Sequence, residues 1–211
     1  MPFTILPSRL ASVLPALVVC LGATAHAEPS LSPKAVESEG ERSHFAVMLG
    51  LGQWLLDGGN VAIQYNVGHL ALEYSHGQGV HLSETSLLLN QSEKSAGADV
   101  RMPWTTGFGV GILAFNNLRV LLEFKANHYA LQGGDRSSSL EYTTFTIGPG
   151  VFYDLHVWSG LFIQPSIRWW PTVATTMPSN AALARADGTV VKMASHDSGV
   201  FPNVSLGWQF F

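Results

Sequence analysis

Apolar and polar residues alternate along most of the chain from His44 onward, and a period of two predicts β-strands. The clearest segment spans 118–131, where leucine, valine and phenylalanine take one face and Arg119, Glu123 and Lys125 take the other. The same alternation predicts eight strands, over residues 44–55, 61–67, 69–77, 105–115, 118–131, 140–153, 161–173 and 200–211.

The connections between these segments alternate in length, as expected of antiparallel hairpins joined one after another. Two long polar loops are predicted, at 83–103 and 177–198. A short helix is a further possibility at the apolar patch 87–89 of the first loop. Tight turns are predicted at 57–60, near Gly68, at 116–117 and at 156–159.

The two faces of the predicted strands differ in an unusual way. One face is almost entirely apolar and aromatic, and the other carries glycine, threonine, glutamine and full charges. In a soluble β-sandwich the charged face would be wet. In a transmembrane barrel it would fill the interior, which in an eight-stranded barrel is just wide enough for side chains. We therefore predict an all-β, antiparallel, up-and-down transmembrane barrel with a packed polar interior. Its expected interior charge network consists of Glu73, Arg119, Glu123, Lys125 and Arg168.

Composition agrees with an exported barrel and excludes some other classes. Only 12% of the 211 residues are charged and the net charge is -4, so no basic footprint for nucleic acid is present. The apolar stretch 10–23 followed by Ala25-His26-Ala27 predicts a signal peptide over 1–27, cleaved after Ala27. Residues 28–42 then form a polar leader, predicted to be disordered, and 43–211 form the barrel. Cys20, the one cysteine, lies in the predicted signal peptide.

Three features together resemble the small outer-membrane β-barrel family, the group that includes OmpA-like and OmpX-like barrels. They are the Ala25-His26-Ala27 cleavage pattern, the alternating "GPGVFYDLHVWSGLFIQPSIRWW" (148–170) and the terminal "VSLGWQFF" (204–211). The resemblance implies an outer-membrane location, contact with lipid, and transient contact with an assembly machine that reads the C-terminal strand. The insertion signal would then be Trp208, Phe210 and Phe211, although the alternation puts Phe210 on the apolar face and Phe211 on the other.

Aromatic residues near the predicted strand ends fit the girdles that membrane barrels carry at both interfaces. Ordinary core packing of these aromatics is the alternative. They are Trp54, Tyr74, Trp104, Tyr129, Tyr142, Tyr153, Trp158, Trp169 and Trp170.

His196 and Ser198 are the sharpest candidates for catalysis. Two residues apart on a strand, they would share the apolar, lipid-facing side. Such a pair resembles the lipid A deacylase barrels, and the resemblance implies a histidine base and a serine nucleophile. The surrounding residues do not match that family's motif, and Glu141 is the candidate for an acidic partner.

Metal and cofactor sites are not predicted. His69 and His81 fall on one strand face and His76 on the other, which suits polar strand ends better than one metal site. We therefore predict a monomeric outer-membrane barrel with a structural or surface-interaction role, exerted through its long loops. Two alternatives stay open: a lipid A-modifying enzyme, and a secreted soluble β-barrel or sandwich that binds a small ligand.

Overall fold

The computed structural model describes residues 43–82, 88–115, 117–196 and 199–210. The predicted signal peptide and leader, with Ala25 and Ala27, lie outside these residues, and so do Ser198 and Phe211. No helix within the described ranges is long and apolar enough to cross a membrane. The helices are α1 (Leu51–Trp54) and α2 (Gln91–Ala96). The strands are β1 (His44–Gly50), β2 (Gly59–Val67), β3 (Leu70–Leu82), β4 (Asp99–Phe115), β5 (Leu118–Gln132), β6 (Ser139–Tyr153), β7 (Leu155–Trp158), β8 (Leu161–Trp170), β9 (Thr172–Thr175), β10 (Ala182–Ala184), β11 (Val190–Lys192) and β12 (Gly199–Phe210).

One antiparallel sheet of the described chain closes on itself as an eight-stranded barrel. The strands β1 to β6 pair in chain order, β6 pairs with β8 and β9, β8 pairs with β12, and β12 returns to β1. Phe210 lies opposite Phe45 in this last pairing, which closes the barrel. β7 prolongs the line of β6 beyond Asp154, and β9 prolongs the line of β8 beyond Pro171. The sandwich alternative is therefore wrong.

Side chains alternate between a buried inward face and an exposed outward face. On β5, Arg119, Glu123 and Lys125 are buried while Val120 and Leu122 are exposed. The barrel thus keeps charges inside and apolar groups outside over this part of the strand, the reverse of a soluble protein.

Glycines allow close approach at two places in the wall of the barrel. A Cβ on Gly107 would collide with the carbonyl oxygen of Phe124 on β5. A Cβ on Gly148 would collide with the carbonyl oxygen of Trp169 on β8. Any side chain at either position would have to push the neighbouring strands apart.

The end of the barrel that carries the long connections differs from the expectation. The first predicted strand stops at Gly50, because α1 turns inward there and buries Gln53. β4 begins at Asp99, inside the loop predicted over 83–103, and the helix of that loop lies at 91–96 rather than at 87–89. The loop predicted over 177–198 contains the hairpin of β10 and β11.

Candidate functional site: the barrel interior and its loop end

Four of the five side chains predicted for the interior meet in one cluster. Arg168 bridges two carboxylates, with its Nη2 3.5 Å from Glu73 Oε1 and its Nε 3.6 Å from Glu123 Oε2. Lys125 Nζ lies 3.6 Å from Glu123 Oε1 and donates a hydrogen bond to Ser75 Oγ at 2.5 Å. All four charged groups are buried, so each depends on its neighbours in place of water.

Arg119, the fifth predicted residue, pairs with a carboxylate that sequence reasoning missed. Its Nη2 lies 2.6 Å from Asp154 Oδ1, and Gln164 Nε2 donates to the same oxygen at 2.9 Å. Asp154 stands between β6 and β7, and its N–H donates to the carbonyl oxygen of Asn117. Its place at the end of an alternating segment indicates a turn, so the pattern did not predict that the Asp154 side chain faces the barrel interior. We call Glu73, Arg119, Glu123, Lys125, Asp154 and Arg168 the charged layer.

Trp170 belongs to the inside of the barrel, so its prediction as a girdle residue is wrong. Its Nε1 donates to Glu123 Oε2 at 3.0 Å. Lys125 Nζ lies 4.8 Å and the Arg168 guanidinium carbon 5.5 Å from its ring. The indole therefore both satisfies a carboxylate and offers its π face to two cations.

A second, apolar core fills the end of the barrel where the long connections lie. Tyr129 and Tyr142, predicted for a girdle, are buried in it, and their rings stack at 5.5 Å. Side chains from α2, from the β10–β11 hairpin and from β3 to β6 meet there, so the loops cover the barrel mouth. We call this set the loop-end core: Val80, Leu82, Leu89, Ala96, Ala98, Val100, Tyr129, Leu131, Tyr142, Ala181, Leu183 and Met193.

His196 is buried against the loop-end core, so the prediction that it faces lipid is wrong. Its Nδ1 lies 3.0 and 3.1 Å from the two carboxylate oxygens of Glu93, a residue of α2. Its backbone N–H donates to the Tyr142 hydroxyl at 2.9 Å, and its ring lies 4.9 Å from that of Tyr129. These contacts tie the segment before β12 to α2.

The other proposed members of a catalytic set do not join His196. Ser198 lies outside the described residues. Glu141 is exposed on β6, with its carboxylate 4.0 Å from Nε2 of His128. The acidic partner of His196 is therefore Glu93. Glu93 lies in a helix within a polar loop, and nothing in the sequence pattern indicated that it would contact His196.

The three histidines around the third strand lie apart from one another in the structure. His81 Nε2 lies 2.6 Å from Asp99 Oδ1, across the β3–β4 pairing. His76 is exposed on the outward face, and the backbone oxygen of His69 accepts from Leu113 N–H in the turn after β2. Within the described ranges, no group of three histidine, cysteine, aspartate or glutamate residues could hold a metal ion.

Large apolar side chains cover the outside of the barrel. They continue across strands, since Tyr74, Phe108, Phe124 and Ile147 are successive register partners from β3 to β6. We call the exposed part of this surface the outer apolar band: Phe45, Leu49, Val61, Ile63, Tyr65, Val67, Leu70, Leu72, Tyr74, Phe108, Val110, Ile112, Phe115, Val120, Leu122, Phe145, Ile147, Val151, Tyr153, Ile167, Trp169, Val200, Leu206, Trp208 and Phe210.

Comparison with known proteins finds similarity among solved structures but not among family models or curated proteins. No protein-family model matches the chain, and no curated protein matches it. The N-terminal β-barrel domain of Pseudomonas aeruginosa OprF is similar at 10% identity and a TM-score of 0.45, over 82% of this chain and 100% of that one. Ail, the attachment invasion locus protein of Yersinia pestis, is similar at 11% identity and 0.43, over 80% and 97%. A major outer membrane protein from Thermus thermophilus is similar at 11% identity and 0.44, over 81% and 100%.

Proposed function

We propose that this chain is an outer-membrane β-barrel with a closed interior, which acts as a structural or surface-interaction protein. The observation that carries the proposal is the outer apolar band around a buried charged layer. Soluble monomers rarely expose contiguous apolar patches above a few hundred Å². Strands that alternate apolar-out and polar-in are instead the pattern of barrels in lipid.

The extent of the band supports a membrane of ordinary thickness. On β6 the outward apolar positions run from Phe145 to Tyr153. Eight residue steps at roughly 3.3 Å give about 26 Å along the strand, or about 20 Å across the membrane for a tilt of about 40°. The apolar band of outer-membrane barrels is about 25 Å tall.

The two ends of the barrel support one orientation. Both described termini, near His44 and Phe210, lie at the end with the tight turns. The connections with α2 and the β10–β11 hairpin lie at the opposite end. Bacterial barrels have short periplasmic turns and longer external loops. We therefore assign the loop end to the cell exterior, where it would present the surface that carries any specificity.

The packed interior favours a surface role over transport. The charged layer and the loop-end core together occupy the barrel from its middle to its external mouth. An eight-stranded barrel leaves little room beyond its own side chains. We expect no ion conductance from the protein in planar bilayers, and a stable single-channel current would contradict the closed interior.

Partners follow from the same proposal. Outer-membrane lipid would contact the outer apolar band, and barrel-assembly machinery would read Trp208 and Phe210, which both face outward. The pairing of β12 with both β8 and β1 closes the described sheet into a barrel, which agrees with a monomer.

Fractionation tests the location directly. We expect the mature protein in the outer-membrane fraction, with a gel mobility that changes on boiling, because a closed barrel resists unfolding in detergent without heat. Recovery of the protein in the soluble periplasmic fraction would overturn the proposal.

Cysteine labelling tests the orientation in a chain whose mature part is predicted to lack a thiol. Val190→Cys, at an exposed position of β11, should react with a membrane-impermeant maleimide on intact cells. Ser159→Cys, in the tight turn before β8, should react only after permeabilisation. The opposite pattern would reverse the orientation, and equal labelling in intact cells would contradict insertion.

A further inference from the structure

A cavity of about 60 Å³ lies between the charged layer and the loop-end core. That volume has room for only a few water-sized groups. Its walls come from α1 and from strands on opposite sides of the barrel. The lining residues are Gln53, Leu56, Asn60, Val80, Leu82, Leu88, Met102, Thr105, Lys125, Asn127, Tyr129, Arg168, Trp170, His196 and Phe201.

The polar part of the wall is one-sided in charge. Lys125 and Arg168 line the cavity, whereas their carboxylate partners Glu73 and Glu123 do not. No aspartate or glutamate is among the described residues of the wall. The cavity therefore meets the cationic side of the charged layer, and an anion would be the favoured occupant.

Two buried side-chain amide atoms in the wall lack hydrogen-bond partners. Asn127 Oδ1 accepts from Thr105 Oγ1 at 2.6 Å, but Asn127 Nδ2 is buried without a hydrogen bond. Gln53 Oε1 is likewise buried and unpaired. A buried polar group without a partner is unfavourable, so an occupant that accepts a hydrogen bond from Asn127 Nδ2 is favoured. A water molecule beside that occupant can donate to Gln53.

Another part of the wall is apolar. Leu82, Met102 and Phe201 face the same space from three different strands. A bare inorganic anion would leave these side chains against empty space or water. An anion that carries a short alkyl group would use both parts of the wall.

We propose that this cavity binds a short-chain organic carboxylate, with the carboxylate at Lys125 and Asn127 and the alkyl group against Leu82, Met102 and Phe201. This site goes beyond the surface role proposed above and does not depend on it. Binding would be weak, in the roughly millimolar range, because so small a ligand makes few contacts.

Methionine NMR offers a direct test with an internal reference. The mature protein, labelled with ¹³C-methyl methionine and held in nanodiscs, would be titrated with butyrate. Met102 lines the cavity, while Met48 is buried in a separate cluster with Ala46, Ala62 and Phe162. We expect a saturable shift of the Met102 methyl signal and none of Met48. Butanol and butylammonium should bind about tenfold more weakly or not at all, since neither carries the negative charge.

Two variants locate the site. Asn127→Asp is nearly isosteric but places a carboxylate in the wall, so butyrate affinity should fall about tenfold or more. Asn66→Asp makes the same change on β2 near the tight-turn end and should leave affinity unchanged. Should Asn127→Asp fail to fold, Leu82→Phe provides the second variant, because it fills the apolar wall without adding charge.

Three outcomes would overturn the proposal. They are the absence of a saturable Met102 shift, an equal affinity for butanol, and an affinity that survives both Asn127→Asp and Leu82→Phe. The first would mean that the cavity holds water only. A soluble location in the fractionation experiment would overturn the membrane proposal, and the same butyrate titration would then be carried out on the protein in aqueous buffer.

Discussion

The strands β3 to β6 each cross two regions whose inside and outside are opposite in character. Over the first half of β5 the charged inward residues are Arg119, Glu123 and Lys125, with Leu121 also buried, and the outward neighbours are apolar. The last inward residues of the strand are Tyr129 and Leu131, both part of the loop-end core. On β5 the alternation continues unbroken, but the inward face changes from mostly charged to apolar, and the outward face changes from large apolar residues to small and polar ones.

The outer surface changes at the same level. On β3, Leu72 and Tyr74 are followed on the same face by His76 and Gln78. On β6, the outward apolar positions that begin at Phe145 are preceded by polar ones at Glu141 and Thr143. A barrel that leaves lipid for water needs this exchange, since its interior must always differ from its surroundings. If the barrel is inserted as proposed, the exchange would mark the membrane boundary on these strands.

Removal of one charge from the charged layer should have the largest effect. Arg168→Met leaves Glu73 without its ion pair and Glu123 with one cation fewer. Breaking a buried pair costs about 3–5 kcal/mol of unfolding free energy. Arg101→Met is the matched control, because Arg101 is an exposed residue at 3.3 Å from Asp99 and should contribute less than about 1 kcal/mol. Urea titration in lipid vesicles measures both, and similar losses would refute a buried network.

A cavity in the loop-end core should destabilise the β10–β11 hairpin and leave the first barrel strands unaffected. Leu183, fully buried on β10, loses its packing in Leu183→Ala, at a cost of about 2–5 kcal/mol. Hydrogen exchange should accelerate in β10 and β11 but not in β1 or β2, since the lost contacts belong to the loop-end core. Val190→Ala on the same hairpin is exposed and should change neither. Uniform acceleration over the whole chain would show that the two regions unfold as one.

The cost of an arginine on the outward face of β5 should differ between a position that faces lipid and one that faces water. Leu122→Arg lies in the outer apolar band, and an arginine near the bilayer midplane costs about 2–4 kcal/mol. Gln132→Arg lies on the same face of β5 beyond the exchange and should cost about 0–1 kcal/mol. Folding free energies in vesicles give the comparison, and equal costs would contradict a boundary between the two positions.

The strands and their two faces can be predicted from the sequence, because both follow from the strict alternation of apolar and polar residues. Strict alternation identifies a strand and its two faces, so the barrel and the inward side of Arg119 or Glu123 are predictable. Whether the apolar face of a strand turns inward or outward also depends on whether water or lipid surrounds the barrel, which alternation does not specify. The alternation therefore predicts the strands of Tyr129 and Tyr142 but not their environment, which is the loop-end core.

The candidate site was less predictable because its members come from segments without a period. Asp154 stands at a break between two strands, and Glu93 lies in a six-residue helix within a polar loop. Their partners, Arg119 and His196, are far away in sequence, and only tertiary packing brings each pair together. Cap signals such as Asn90 followed by Glu93 are readable but do not reveal which distant group the helix will meet.

Loss of the helix cap should have a moderate, local effect on the loop end. Asn90 caps α2, with its side chain accepting from Glu93 N–H at 3.0 Å, while Glu93 accepts from Asn90 N–H at 2.8 Å. Asn90→Ala should cost about 1 kcal/mol. Gln91→Ala, on the exposed first residue of the helix, is the control and should cost close to nothing. Hydrogen exchange of the α2 amides measures both, and equal rates would exclude a role for the cap.

The smallest expected effect concerns Asp135, in the loop between β5 and β6. Hydrogen bonds from the Ser137 side chain and then from Ser138 lower the pKa of this carboxyl from 3.8 to about 2. Because the pKa is lowered on folding, these bonds support the loop above about pH 3.8, and their contribution is lost as the pH falls through about 2. Ser137→Ala should raise the pKa of Asp135 toward 3.8, whereas Ser139→Ala should leave it low. A carboxyl titration by NMR gives both values. An unchanged pKa in Ser137→Ala would show that groups other than the Ser137 hydroxyl stabilise the Asp135 carboxylate, and the loop between β5 and β6 would then be ordered less locally than the contacts around Asp135 indicate.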